Sequence, residues 1–156
     1  MSHVVEVDAA GVRVPLARRR VAEIARTVLS AEKVRRARLS IAFVDDARIA
    51  RLNRRHLGHR GPTDVISFAL AEDAVEGLVG DIYIAPEVAR RNASEQGIST
   101  RDELTRLVVH GVLHVIGYDH PEGAGRYDSP MWARQERLVR ALVRRAGTKA
   151  QPRSAA

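Results

Sequence analysis

The sequence predicts an α+β domain, and three observations carry the prediction. The hydrophobic period changes along the 156 residues from alternation to helical spacing and back more than once, so strands and helices are both present. The alternating segments are few and short, enough for one small sheet. A composition that is 45% hydrophobic, with no internal repeat, supports one core, so a single domain is expected over residues 1–147 with a disordered tail at 148–156.

Val4 to Val14 reads as an extended first strand around a turn at Ala9-Ala10-Gly11, with Val12-Arg13-Val14 alternating. From Pro15 the spacing becomes helical: Leu16, Val21, Ile24, Ala25, Val28 and Leu29 share a face, and Arg18, Arg19, Glu23 and Arg26 fall largely outside it. Arg38 to Asp45 is the next strand, with Leu39, Ile41 and Phe43 alternating against Ser40 and Ala42. Asp45 or Asp46 caps a short helix that carries Ile49 and Leu52 inward. The loop Gly58 to Pro62 leads to a strand from Thr63 to Leu70, rich in branched and aromatic residues, and Val79 to Ile84 is another. Joined by the polar connection Glu72 to Gly77, the two are placed as a hairpin.

Pro86 opens a helix that Gly97 ends, because its fixed φ and missing donor cost nothing in a first turn. Thr100-Arg101-Asp102-Glu103 has capping-box form, and Leu104, Leu107, Val108, Val112 and Val115 give the helix after it an apolar face that buries it in the core. Gly117 stands where this helix ends. A glycine-containing loop runs from Pro121 to Asp128, and Ser129 then caps a last helix with Pro130 in its first turn. Met131, Trp132, Leu138, Val139, Leu142 and Val143 form its packing face, and Gly147 is expected to end it.

The formal charge is +7 and nearly all of the cations are arginines, Lys33 and Lys149 being the only lysines. Such a balance favours polyanionic partners, and the planar guanidinium suits phosphate. Arg48, Arg51 and Arg55 follow one another at steps of three and four on one helical face, with Arg54 beside them and His56, His59 and Arg60 immediately after. The stripe is either a solvated face or a place where phosphates lie. There is no cysteine, hence neither a disulfide framework nor a thiolate metal site. The first residues carry Glu6 and Asp8 and lack the form of a signal peptide, and no stretch reaches membrane-spanning length, so a cytoplasmic location and no membrane partner are expected.

Three of the six histidines fall in one run, Leu107-Val108-Val109-His110-Gly111-Val112-Leu113-His114-Val115-Ile116-Gly117-Tyr118-Asp119-His120. At about 100° per residue, a step of four brings His114 onto the face of His110, one turn along. Gly117 takes the left-handed conformation easily, so the chain can double back and bring His120 to the same point from another side. Three neutral imidazoles suit one Zn²⁺ per chain better than magnesium or calcium, and a three-ligand site leaves a fourth position for a metal-bound water. Zinc would lower the pKa of that water to about 7, giving a nucleophile for hydrolysis; the alternative is that the metal polarises the bond and a hydroxyl of the substrate itself attacks. Asp119 could act on the proton or orient a histidine ring, or could simply cap the turn after Gly117.

The spacing His110-x3-His114-x2-Gly117-x2-His120 is that of the metzincin metalloprotease motif, but Gly111 stands where those enzymes carry their glutamate base. The run His110-Gly111-Val112-Leu113-His114-x2-Gly117-Tyr118-Asp119-His120 instead resembles the signature of the bacterial YbeY family, metal-dependent endoribonucleases of rRNA maturation. Pro62-Thr63-Asp64-Val65-Ile66-Ser67-Phe68, Gly80-Asp81-Ile82 and Met131-x3-Gln135-Glu136 are similar to further blocks of that family in the expected order, so the likeness spans about Arg38 to Val143. It implies a zincin-like metallohydrolase domain, a small mixed sheet surrounded by helices, with zinc on His110, His114 and His120. It implies single-stranded rRNA near the 3′ end of 16S rRNA as substrate, the small ribosomal subunit as partner, and roles in 16S maturation and ribosome quality control. The chain departs from the family at Leu57, where an arginine is usual in the loop before the Pro-Thr-Asp block, and at Ala69, where proline is usual; Arg55 and Arg60 flank the first gap. RNA contacts are therefore expected at Arg48, Arg51, Arg55 and Arg60. The rival readings are a non-catalytic ribosome assembly factor with a structural metal and a metalloprotease.

Overall fold

The computed structural model describes the backbone of residues 1–150 and the side chains of all of these except 71 and 146–150. Four strands form one mixed sheet in the order β1-β2-β4-β3: β1 (Ser2–Asp8) and β2 (Arg36–Phe43) run parallel, β2 and β4 (Gly77–Ile84) run parallel, and β3 (Val65–Asp73) returns antiparallel to β4. The β3–β4 hairpin stands as the sequence places it. Leu39, Ile41 and Phe43 of β2 alternate with exposed neighbours, and with Ile82 and Ile84 of β4 they give the sheet a buried apolar side.

Onto that side pack α1 (Arg18–Ala31) and α4 (Thr100–Ile116), with α3 (Pro86–Gln96) and α5 (Pro130–Ala150) against α4. The central helix is α4: Leu104, Val108, Val109, Val112 and Leu113 are wholly inaccessible to solvent. Its approach to the sheet is close because residue 111 is glycine; a Cβ there would stand 2.8 Å from Ile82 Cγ2 and 3.2 Å from Ser67 Oγ. A second, smaller cluster of Val44, Ile49, Ile66 and Ala85 seats α2 (Asp46–Leu52). No helix among the described residues is long and apolar enough to cross a membrane.

Several element ends differ from expectation for identifiable reasons. β1 stops at Asp8, whose pairing with Ala42 is the last between the two strands; Val12 and Val14 still pack on the core, but beyond a turn with Gly11 at φ 71°. The cap of α4 is Ser99, whose hydroxyl accepts from Asp102 N at 3.1 Å, one residue before the expected Thr100; Glu103 is thereby released from a capping box and turns inward. α2 widens into a single π turn over Asn53–Leu57, closed by Gly58 at φ 69°, and the buried Asn53 amide donates to Gly61 O at 3.0 Å, tying down the loop. Gly147 does not end α5, which continues to Ala150: glycine permits a stop but costs only about 1 kcal/mol relative to alanine inside a helix. The rest of the expected tail, 151–156, lies outside the described residues.

Candidate metal centre

His110 and His114 project from one side of α4, one turn apart, with ring centroids 4.6 Å from each other. At the end of the helix Gly117 has φ 126°, and its N–H and that of Tyr118 donate to Leu113 O, so the chain reverses within two residues. Two anchors hold the returning segment. The Tyr118 hydroxyl donates to Glu32 at 2.9 Å, a carboxylate that also takes Arg134, and Asp119 Oδ1 accepts from His120 N at 2.8 Å. His120 arrives with its ring 5.2 Å from that of His110 and 5.0 Å from that of His114. One ligand atom from each of the three lies within 4.8 Å of the others, so the group could hold a metal ion.

The surrounding hydrogen bonds orient the rings for that task. Gln135 on α5 donates through Nε2 to Glu136, which turns its oxygen to His110; Nδ1 of His110 must then carry the proton and donate at 2.7 Å, leaving Nε2 bare. Nδ1 of His120 donates to Pro121 O at 2.9 Å, with the same result. Burial holds the His110 imidazole down at about 4 against an ordinary 6.5, the Gln135 bond opposing only in part; burial, then the charge of a protonated His120, lowers His114 too. Three imidazoles, those of His110 and His114 biased toward the neutral form, in a protein without thiolates, fit zinc by the chemistry of the donor set.

A pH prediction follows from the same shift. Between about pH 6.5 and 4 the unfolded chain protonates His110 and the folded chain does not, so acidification favours unfolding across that window by at most about 3 kcal/mol. His114 acts in the same direction, and the raised carboxyls of Asp64 and Glu103 offset part of it. Metal-free protein should therefore lose stability from pH 6.5 to 4.5 in urea titrations, and His110→Asn should flatten the loss. An equally steep loss in the variant would assign it elsewhere.

The three histidines open on a cleft of about 570 Å³. From the segment before β3, Asn53, Leu57, His59 and Thr63 line this cleft, together with Asp64, Asp119 and Arg126. Arg48, Arg51 and Arg55 border a separate depression with Arg54, and Arg60 borders another with Arg51 and Arg54. The structure thus gathers the predicted arginines on a neighbouring exposed face and does not bring them to the histidines. None of their guanidinium groups has a carboxylate partner among the described residues. The cation that does line the cleft is Arg126, which sequence reasoning passed over because a lone arginine in a glycine-rich loop carries no periodic or spacing signal. Asp64 was also assigned no role; burial raises its carboxyl above the usual range, and the nearby Arg126 charge opposes this.

A model of the family described as Endoribonuclease YbeY matches residues 7–143. The chain belongs to the YbeY family. Curated relatives named Endoribonuclease YbeY include one from Geobacter sulfurreducens, 37% identical over 86% of this chain and 92% of its own length. Others come from Frankia alni, 40% identical over 77% and 72%, and from Desulfitobacterium hafniense, 43% identical over 77% and 80%. The solution structure of a Thermotoga maritima protein superposes with a TM-score of 0.62 over 98% of this chain and 99% of that one, at 24% identity, a likeness of fold. The mixed sheet flanked by helices is thus the α+β, zincin-like fold of YbeY proteins. In this YbeY chain Leu57 is half exposed at the edge of the cleft, so the wall that Leu57 forms is apolar.

Proposed function

We propose that this protein is a zinc-dependent endoribonuclease that cleaves single-stranded RNA in 16S rRNA 3′-end maturation and ribosome quality control, in the cytoplasm and on the small ribosomal subunit. The observation that supports it above the others is a three-imidazole group at the bottom of an open cleft, in a chain of net charge +7 whose relatives bear the name endoribonuclease. His110, His114 and His120 would hold the zinc, which would supply Lewis acidity and a water made acidic enough to attack at neutral pH. Arg126 presents a positive charge to a phosphate entering the cleft. Asp119, with Oδ1 fixed by the His120 N–H, has its other oxygen available to take a proton. A purely structural metal would call for a fourth protein ligand, and among the described residues the histidine group has three members.

Cleavage of single-stranded rRNA fragments by zinc-loaded protein, lost on chelation and restored by zinc but with casein left intact, is the expected result. Cleavage that survives chelation would point to a contaminating nuclease and leave the assembly-factor reading in place.

The same proposal places the strand outside the cleft along Arg48, Arg51, Arg55 and Arg60, cations with no carboxylate to satisfy. Replacing Arg51 and Arg55 together by Ala should reduce the slope of log K against log salt by about 1 to 2 with zinc content unchanged. An unaltered slope would mark the stripe as a solvated face.

A further inference from the structure

Beside the metal cleft lies a second cavity of about 530 Å³, and the two share Asp64, Val65, His110 and Arg126 as a common wall. We propose that this second cavity receives a nucleobase turned out of the RNA strand, and that guanine is the base its polar groups select; the proposal rests on the endoribonuclease reading. A strand whose phosphate stands at Arg126 has an adjoining nucleoside within reach of the cavity, because the same residue borders both spaces.

One side of the cavity is aromatic. Trp132 of α5 and Tyr127 of the 3₁₀ segment Gly123–Asp128 meet edge to face, with centroids 4.7 Å apart and an interplanar angle of 83°. Tyr127 is 57% exposed and the guanidinium of Arg126 is 5.9 Å from its ring centroid, so the ring is a stacking surface at the cavity mouth beside a cation. Stacking of this kind accepts any base.

Selection comes from the interior. Glu103 is 4% exposed, and its one cationic neighbour, Arg106 Nη1, stands 3.6 Å from Oε1, beyond hydrogen-bond length. Arg106 is instead committed to Glu136 by bonds of 3.0 and 3.1 Å, and Nη1 has no hydrogen-bond partner at all. A carboxylate removed from water and short of donors gains most from a ligand that brings two N–H groups side by side. The N1–H and N2–H edge of guanine does so, whereas uracil sets carbonyl oxygens on either side of a single N–H. Asn92 and Gln96, one turn apart on α3, border the same cavity with amide donors suited to the O6 and N7 acceptors of guanine.

Trp132 is the only tryptophan in the chain, so intrinsic fluorescence reports from the cavity itself. Titration with guanosine 5′-monophosphate should quench it saturably, with uridine 5′-monophosphate needing at least about tenfold more and inosine 5′-monophosphate, which lacks the N2 amine, falling between. Glu103→Gln should narrow the guanosine preference to about threefold or less, and Tyr127→Ala, an exposed position whose truncation leaves the fold intact, should weaken guanosine binding about tenfold. Absence of saturable quenching, or equal response to the guanosine and uridine nucleotides, would overturn the proposal. RNA cleavage is followed in parallel. Base-selective quenching by a protein that cuts no RNA would remove the endoribonuclease and keep the base site, and cleavage without base-selective quenching would do the reverse.

Discussion

His114→Ala should reduce zinc from one per chain to less than about a tenth and single-stranded RNA cleavage by roughly a thousandfold or more, with the fold retained. The geometry explains the size of the effect. His110 and His114 approach from one helix and His120 from the reversed chain beyond Gly117, so removing His114 leaves one ligand on the helix and one on the reversed chain, and among the described residues the group has no further member to replace the third. Loss of a half-buried imidazole that makes no hydrogen bond as strong as the His110–Gln135 contact should cost the metal-free protein only about 1 kcal/mol. Metal analysis, melting of the apo forms and the RNA assay therefore separate. Stoichiometric zinc in the variant would refute the ligand assignment, and a collapsed apo protein would make the activity loss a folding effect.

Much of this centre was legible because its signal is local. The four-residue step from His110 to His114 and the glycine at the helix end are consequences of helical geometry, and both survive in the structure with the positive φ that the glycine implies. The order of elements was legible for the same reason, each being marked by its own period and caps. What the sequence could not show is what lies opposite. Gln135 sits one element away from His110 and meets it only because α5 packs on α4. The arginine stripe obeyed the helix rule, yet from this segment it is Asn53, Leu57 and His59, not Arg48, Arg51, Arg55 or Arg60, that border the cleft, a placement no local period encodes. Thr100 to Glu103 has capping-box form, yet Ser99 takes the cap and Glu103 is buried.

Gly111→Glu, the change that would complete a metalloprotease motif by spacing, should lower the melting temperature by roughly 10 °C and yield no peptide hydrolysis. Residue 111 lies on the side of α4 that touches the sheet, where even a Cβ would be 2.8 Å from Ile82 Cγ2 and 3.3 Å from Ile82 Cδ1. Overpacking of a tight contact costs about 1–3 kcal/mol, and a carboxyl forced among β4 side chains takes up a proton there and adds a desolvation cost of about 1–3 kcal/mol more. The gain in helix propensity on replacing glycine returns only about 1 kcal/mol. For a domain of this length a net loss near 3 kcal/mol corresponds to about 2–4 °C for each kcal/mol. Gly111→Ala separates the two costs, because it keeps the steric contact without the carboxyl and should be far milder. The glycine is thus required by how closely α4 lies on Ile82, and the glutamate of a protease could occupy this position only if the helix stood farther from the sheet. Differential scanning calorimetry of the two variants and a casein assay decide it: a Gly111→Glu protein as stable as the parent, or one that hydrolyses peptides, would mean that position 111 faces the cleft and that this packing account is wrong.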